Sequence, residues 1–193
     1  MQKIKTAILI SGRGSNMQVL VNSAKNAGYP AQISLVISNK ENAAGLEFAK
    51  QNGIKIAIVN HKDFSDRESF DRKIAKIIDE NECQIVCLAG FMRLVSAWFV
   101  QKYQGRMINI HPSFLPNFKG ANAVADALKA GAEKSGCTTH FVSEQMDEGE
   151  IIMQTEVKVL KGDTTAELAA RILKQEHVIY PASLAIICNK LIK

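Results

Sequence analysis

The chain of 193 residues is 47% hydrophobic and 22% charged, which excludes disorder and suits a single globular domain burying about 70% of its unfolded surface. No apolar run approaches the roughly 20 residues that cross a bilayer, so neither a transmembrane helix nor a membrane partner is expected. The net charge of +5 comes from 24 basic and 19 acidic residues scattered without a block of one sign, and aromatics make up only 6%; this argues against nucleic acid as a partner and suits small anionic ligands.

From the N-terminus, Met1 to Ile10 carries two lysines and a short apolar run that meets Gly12-Arg13-Gly14, where a signal peptide needs a longer apolar core and a cleavage site. The segment reads as a first strand. Lys5 to Ile10, Ile33 to Ser38, Lys55 to Val59 and Gln84 to Leu88 are short runs rich in β-branched residues and bounded by Gly, Asn or charge, the pattern of buried strands. Between them, helical spacing runs over Asn16 to Ala27, Ala43 to Asn52 and Ser65 to Glu82, where Phe70, Ile74, Ile77 and Ile78 form one apolar stripe. Alternating strand and helix predicts an α/β fold: a doubly wound, mostly parallel, Rossmann-like sheet with helices on both faces.

After Gly90 the rhythm changes. Met107 to His111 reads as a fifth strand that runs into Pro112, Pro116 and Lys119-Gly120, a segment that excludes helix. A short helix is predicted over Ala121 to Ala130, then strands Cys137 to Ser143 and Ile151 to Leu160, which can pair as a hairpin. Thr164 to Ile187 has helical spacing with a capping box, Thr164 and Glu167, and Pro181 is expected to interrupt and kink it. Cys83, Cys87, Cys137 and Cys188 show no CxxC and no His at metal spacing, so no metal site, disulfide framework or thiol nucleophile is expected, and a reducing cytoplasm fits best.

Three stretches carry chemistry. Ser11-Gly12-Arg13-Gly14-Ser15-Asn16 lies where the first strand hands over to the first helix, so backbone N–H groups and a helix N-terminus form an anion site with Ser15 and Asn16 as extra donors. Met17 replaces the third glycine of a dinucleotide fingerprint and no acid ends the second strand, while the lysine of a P-loop is missing. In Asn109-Ile110-His111-Pro112, strand alternation puts Asn109 and His111 on one face, an amide donor and an imidazole suited to an oxyanion. In Thr138 to Ile152 several acids crowd a turn. One of Glu144, Asp147, Glu148 or Glu150, folded toward His111, would orient the imidazole and favour its cation, and composition does not choose among them.

Together these stretches resemble the phosphoribosylglycinamide formyltransferase family, in the same order and over nearly the whole chain. The resemblance implies that Gly14, Ser15 and Asn16 contact a substrate phosphate and that Glu176 contacts the glycinamide substrate. It implies Asn109 and His111 as catalytic within the NIHPSLLP signature, where Phe114 stands for the first leucine. It selects Asp147 through similarity to HFVxxxxDxGxII, and it assigns Arg67, Phe91, Met92, Arg93, Leu94 and Asn109 to the folate. His140 falls within reach of the transferred group. Glu150 stands where the family usually has proline, and Thr139 where it usually has valine.

The activity implied is transfer of a formyl group from 10-formyltetrahydrofolate to the amine of 5-phospho-ribosylglycinamide in purine biosynthesis, without metal. Residues 1–100 are then expected to form the nucleotide phosphate side and residues 101–193 the catalytic and folate side of one domain, with a homodimer left open. Formyltetrahydrofolate hydrolase and methionyl-tRNA formyltransferase share the Asn-His-Asp set, but each carries an added domain for which this chain has no room. A catalytically silent nucleotide-binding protein has no physical reason to keep Asn109, His111 and Asp147 together.

Overall fold

A computed structural model describes residues 3–192. Seven strands form one sheet in the order β3-β2-β1-β4-β5-β6-β7: β1 Ile4–Ile10, β2 Ala31–Ser38, β3 Lys55–Ile58, β4 Ile85–Leu88, β5 Met107–His111, β6 Lys134–Phe141 and β7 Ile151–Lys158. The first five are parallel, and β6 pairs antiparallel with both β5 and β7. The strands expected from β-branched runs are all present, and β6 and β7 do form the hairpin. β6 starts three residues before Cys137 because Gly136 lets Thr155 approach closely: a Cβ at Gly136 would stand 2.2 Å from the Thr155 carbonyl oxygen. It ends at Phe141, short of Ser143.

Helices cover both faces. On one side α1 Ser15–Ala24, α2 Ala44–Gln51, α5 Ala123–Lys129 and α6 Thr165–Ile192 pack over a core that includes Ile8, Leu20, Val36, Leu46, Ile108 and Leu184. On the other, α3 Arg67–Glu80 and α4 Ala97–Lys102 cover Leu9, Leu35, Val86 and Met107 through Phe70, Ile74, Ile78, Phe99 and Val100. Phe70, Ile74 and Ile78 of the expected stripe are buried, whereas Ile77 only packs against the edge of that core.

Two elements differ from the sequence reading. α4 has six residues, too few for a periodic pattern, and is marked only by the Ser96 hydroxyl capping the Phe99 N–H at 3.3 Å. α6 runs on through Pro181 to Ile192. Proline withholds one N–H from the helical ladder, but Ile172, Ile179, Tyr180, Leu184 and Ile187 are buried on both sides of it, and that packing outweighs one missing bond. Polar contacts add to the seat: the Tyr29 hydroxyl donates to the Pro181 carbonyl at 2.7 Å and the Tyr180 hydroxyl to that of Leu88 at 2.9 Å. The capping box at Thr164 and Glu167 forms in both directions.

No helix among the described residues is long and apolar enough to cross a membrane. Strand order reverses between β1 and β4, and in such sheets the crevice beyond the carboxyl ends of those strands is where ligands bind. The Ser11 N–H donates to the Gly90 carbonyl at 3.1 Å, which joins the loops leaving β1 and β4 at that point.

Candidate active site

β5 sends Ile108 and Ile110 into the core beneath α6, so alternation leaves Asn109 and His111 on the opposite face, at the carboxyl end of the strand. The chain after His111 folds back along the hairpin. Leu115 N–H donates to the Thr138 hydroxyl at 3.1 Å, that hydroxyl donates to the Ser113 carbonyl at 2.8 Å, and Gln154 holds the Leu115 carbonyl at 2.7 Å. This anchoring delivers two main-chain groups to the site. The Phe118 carbonyl stands 2.9 Å from His111 Nε2, and the Gly120 N–H donates to Asp147 Oδ2 at 2.8 Å.

Asp147 is the acid of the crowded turn that comes back to the histidine. Its Oδ2 lies 3.4 Å from His111 Nδ1, with the two side chains 9% and 6% exposed. Both ring nitrogens of His111 therefore face oxygen acceptors, which is the environment that the two N–H bonds of an imidazolium satisfy. Glu144, Glu148 and Glu150 are exposed, with Glu144 held by Gln101 and Glu148 by Lys119. Asp147 takes a left-handed backbone conformation, φ 57°, which costs a non-glycine residue energy and is kept only where the surroundings enforce it. Gly149 supplies part of that enforcement: a Cβ there would stand 1.7 Å from the Phe141 carbonyl oxygen. Gly149→Ala is expected to displace the turn and lower kcat by about tenfold or more, with a smaller change in either KM; steady-state kinetics on the folded variant checks this.

His140 joins the site through strand pairing. It lies opposite Asn109 in the β5–β6 register, beside a bulge between Thr139 and His140. Its Nδ1 is 2.8 Å from the Phe141 carbonyl and its Nε2 is 3.3 Å from Asn109 Nδ2. The carbonyl can only accept, so Nδ1 carries the proton and Nε2 accepts from the Asn109 amide. Burial lowers the His140 pKa, against the opposing pull of the Phe141 carbonyl and Asp147. The imidazole is thus neutral, and its 3.6 Å approach to Asp147 Oδ1 is a contact rather than an ion pair. Because the shift is downward, His140 keeps this role at neutral pH and loses it only when it protonates, below the ordinary histidine range near 6.5. A His140→Asn enzyme, which cannot protonate there, is expected to lose the part of the acid limb of kcat that His140 causes, as a pH–rate profile would show.

The two departures from the family pattern fall outside this network. Thr139 turns to α6, where its hydroxyl meets Ser183 at 2.6 Å. Glu150 is exposed and offers only its carbonyl, to the Phe141 N–H.

At the β1 end, Gly14 precedes α1 with φ 70° and no side chain caps the helix, so its first N–H groups remain for an anion. A Cβ at Gly14 would point at Met17 Cε, 2.8 Å away, and the Gly45 backbone. A larger residue there would strain the backbone and press on Met17 and α2. Asn16 Nδ2 donates to Glu176 of α6 at 2.7 Å, while Asn16 Oδ1 is buried without a partner. Burial raises the Glu176 pKa, with Asn16 pulling the other way. Asn16 and Glu176, 160 residues apart in the chain, thus meet beside the helix N-terminus.

The segment after β4 forms the third wall. Phe91 is buried, its ring stacked on Phe70 with centroids 6.4 Å apart, so it offers a ligand main chain only. Met92 and Leu94 are 70% and 55% exposed, apolar side chains at the mouth of the crevice. Arg93 and Arg67 are also exposed. The Met92 N–H donates to the Ser11 hydroxyl at 2.8 Å, and that hydroxyl donates to Asn39 at 2.6 Å. Burial pushes the Cys137 and Cys188 thiols up to about 12, unsuited to nucleophilic use. Among the described residues no group of three His, Cys, Asp or Glu side chains stands together to hold a metal.

Residues 4–184 match the family model described as formyl transferase. The chain is 48% identical over 188 residues to the human trifunctional purine biosynthetic protein adenosine-3, covering 97% of this chain but only 19% of the human protein. It is 42% identical to the phosphoribosylglycinamide formyltransferase of Escherichia coli, over 90% of this chain and 82% of that protein. The crystal structure of glycinamide ribonucleotide transformylase 1 from Symbiobacterium toebii superposes with a TM-score of 0.95 at 38% identity, covering 97% of this chain and 89% of that one.

Proposed function

The chain belongs to the formyl transferase family, and on that premise we propose that it moves a formyl group from 10-formyltetrahydrofolate to the primary amine of 5-phospho-ribosylglycinamide. The observation that carries this reading is the meeting of Asn109, His111 and Asp147 at the carboxyl end of β5, beside an uncapped helix N-terminus and an exposed apolar rim. The phosphate sits on the N–H groups of α1 at Gly14, Ser15 and Asn16, with Glu176 on the glycinamide nucleotide. The folate lies against Arg67 and the Phe91–Leu94 segment, apolar ring against Met92 and Leu94 and polar edge against main chain. Each substrate then draws on a different loop of one domain, at the point where strand order reverses.

The amine nitrogen attacks the formyl carbon, the carbonyl π pair moves onto oxygen, and a tetrahedral oxyanion forms. Asn109 keeps one amide N–H on His140 and offers the other to that oxyanion. The His111 Nε2–H, held here by the Phe118 carbonyl, is redirected to the same oxygen. Asp147 balances the imidazolium from the other side of the ring. Collapse re-forms the carbonyl and breaks the bond from carbon to the folate N10. N10 leaves with a proton and the amine gives one up, so that the products are the formamide and tetrahydrofolate. The protein contributes position and charge, and no covalent enzyme intermediate is needed.

The rivals within the family are separated by one assay. Loss of 10-formyltetrahydrofolate, followed by absorbance, is expected only when the glycinamide nucleotide is present; equal loss without it would mean hydrolysis and overturn the proposal. On the folate side, Leu94→Asp places a charge on the apolar rim and is expected to raise the folate KM about tenfold or more while leaving the nucleotide KM within about twofold. Calorimetric titration of each substrate checks that split.

A further inference from the structure

One buried acid takes no part in the chemistry above. Asp71, on α3, has no accessible surface. Its Oδ2 accepts the Ser96 N–H at 2.6 Å, while its Oδ1 is buried without a partner. An unpaired buried carboxylate oxygen is costly and calls for a reason. The neighbours supply one. Burial raises the Asp71 pKa, and the groups that oppose that rise are the Ser96 N–H and the guanidinium charges of Arg67 and Arg93. Arg67 lies one helical turn before Asp71, and Arg93 lies three residues before Ser96; both are exposed and neither is ion-paired with the buried carboxylate, whose close contact is the Ser96 N–H. Phe70, next to Asp71, stacks on Phe91, and the other end of the same segment is held through Met92 N–H by Ser11.

The geometry points to Asp71 as a positioning residue for the folate wall. It pins the end of the Phe91–Ser96 segment through the Ser96 N–H, and so fixes where Met92, Arg93 and Leu94 stand at the rim. The idea rests on the folate assignment above and adds a residue that does not touch the ligand. Removing the acceptor frees that end of the segment, whereas the phosphate loop and the Asn109-His111-Asp147 group keep their own supports.

Asp71→Asn keeps an acceptor for Ser96 and removes only the charge; Asp71→Ala removes both. Titration with 5-formyltetrahydrofolate is expected to show about a tenfold weaker Kd for Asp71→Ala and a Kd within about twofold of wild type for Asp71→Asn, with the nucleotide Kd within about threefold in both. Hydrogen exchange at Ser96 should stay slow in Asp71→Asn and become fast in Asp71→Ala. A folded Asp71→Ala protein whose folate Kd is unchanged, or whose folate and nucleotide affinities fall equally, overturns the positioning role. If Asp71→Ala fails to fold, Asp71→Ser, whose hydroxyl is a bond shorter than the carboxylate, is read by the same criterion. Wild-type protein that binds the nucleotide but no folate at all would overturn the folate assignment instead, with Ser96 protection still reporting on the pin.

Discussion

Replacing Asp147 by Asn is expected to lower kcat by about 10²- to 10³-fold while both KM values stay within about threefold. The substitution preserves shape. An amide oxygen still accepts the Gly120 N–H that Asp147 holds at 2.8 Å, and the amide nitrogen replaces a carboxylate oxygen whose approach to His140 Nε2, 3.6 Å, is a contact only. The turn therefore keeps its left-handed backbone and its supports. What disappears is the negative charge opposite His111 Nδ1, so the imidazolium loses the partner that makes it affordable in a pocket where the ring is 6% exposed. Since the oxyanion exists only along the reaction path, the loss belongs in kcat. A folded Asp147→Asn enzyme with near-normal turnover would remove Asp147 from the mechanism.

The second large effect concerns the shared oxyanion. His111→Ala and Asn109→Ala are each expected to cost about 10²- to 10³-fold in kcat, and the double variant to cost less than the product of the two. Both side chains project from one face of β5, two residues apart, and serve one oxygen. Once either donor is gone the geometry that the other exploits is already loosened. Asn109→Ala has a further consequence, because it leaves His140 Nε2 without the amide that it accepts. Full multiplicativity in that cycle would mean that the two residues act on different atoms.

The parts of the molecule that were legible in the sequence are those set by local pattern. β1 to β4 announced themselves as β-branched runs, and the period of two along Met107 to His111 was enough to put Asn109 and His111 on one face. Gly12-Arg13-Gly14 marked the hand-over from β1 to α1, and the structure adds that Gly14 is left-handed. Proline at position 181 was read by local rule, and tertiary packing overrode the rule. Asp147 was one of four acids until the family resemblance selected it, because loop conformation, here a positive φ held by Gly149 against Phe141, leaves no periodic trace. His140 was visible only as a strand residue near the site; its pairing with Asn109 depends on the antiparallel register and on the bulge at Thr139. The Phe118 carbonyl and the Gly120 N–H are main-chain groups and carry no side-chain signature at all. Asp71 carried no signal in the sequence, and only the contact with Ser96, 25 residues on, shows that it faces inward.

The central claim is that one carbon passes intact between two bound substrates. It is tested most directly by supplying 10-formyltetrahydrofolate labelled with ¹³C in the formyl group together with the glycinamide nucleotide, and following the label by NMR. The account predicts that the ¹³C signal moves to a formamide on the glycinamide nitrogen in step with tetrahydrofolate formation, with no free formate, and that Asp147→Asn slows the transfer without diverting it. Label released as formate, or a formamide carbon that does not arise from the folate, would contradict it.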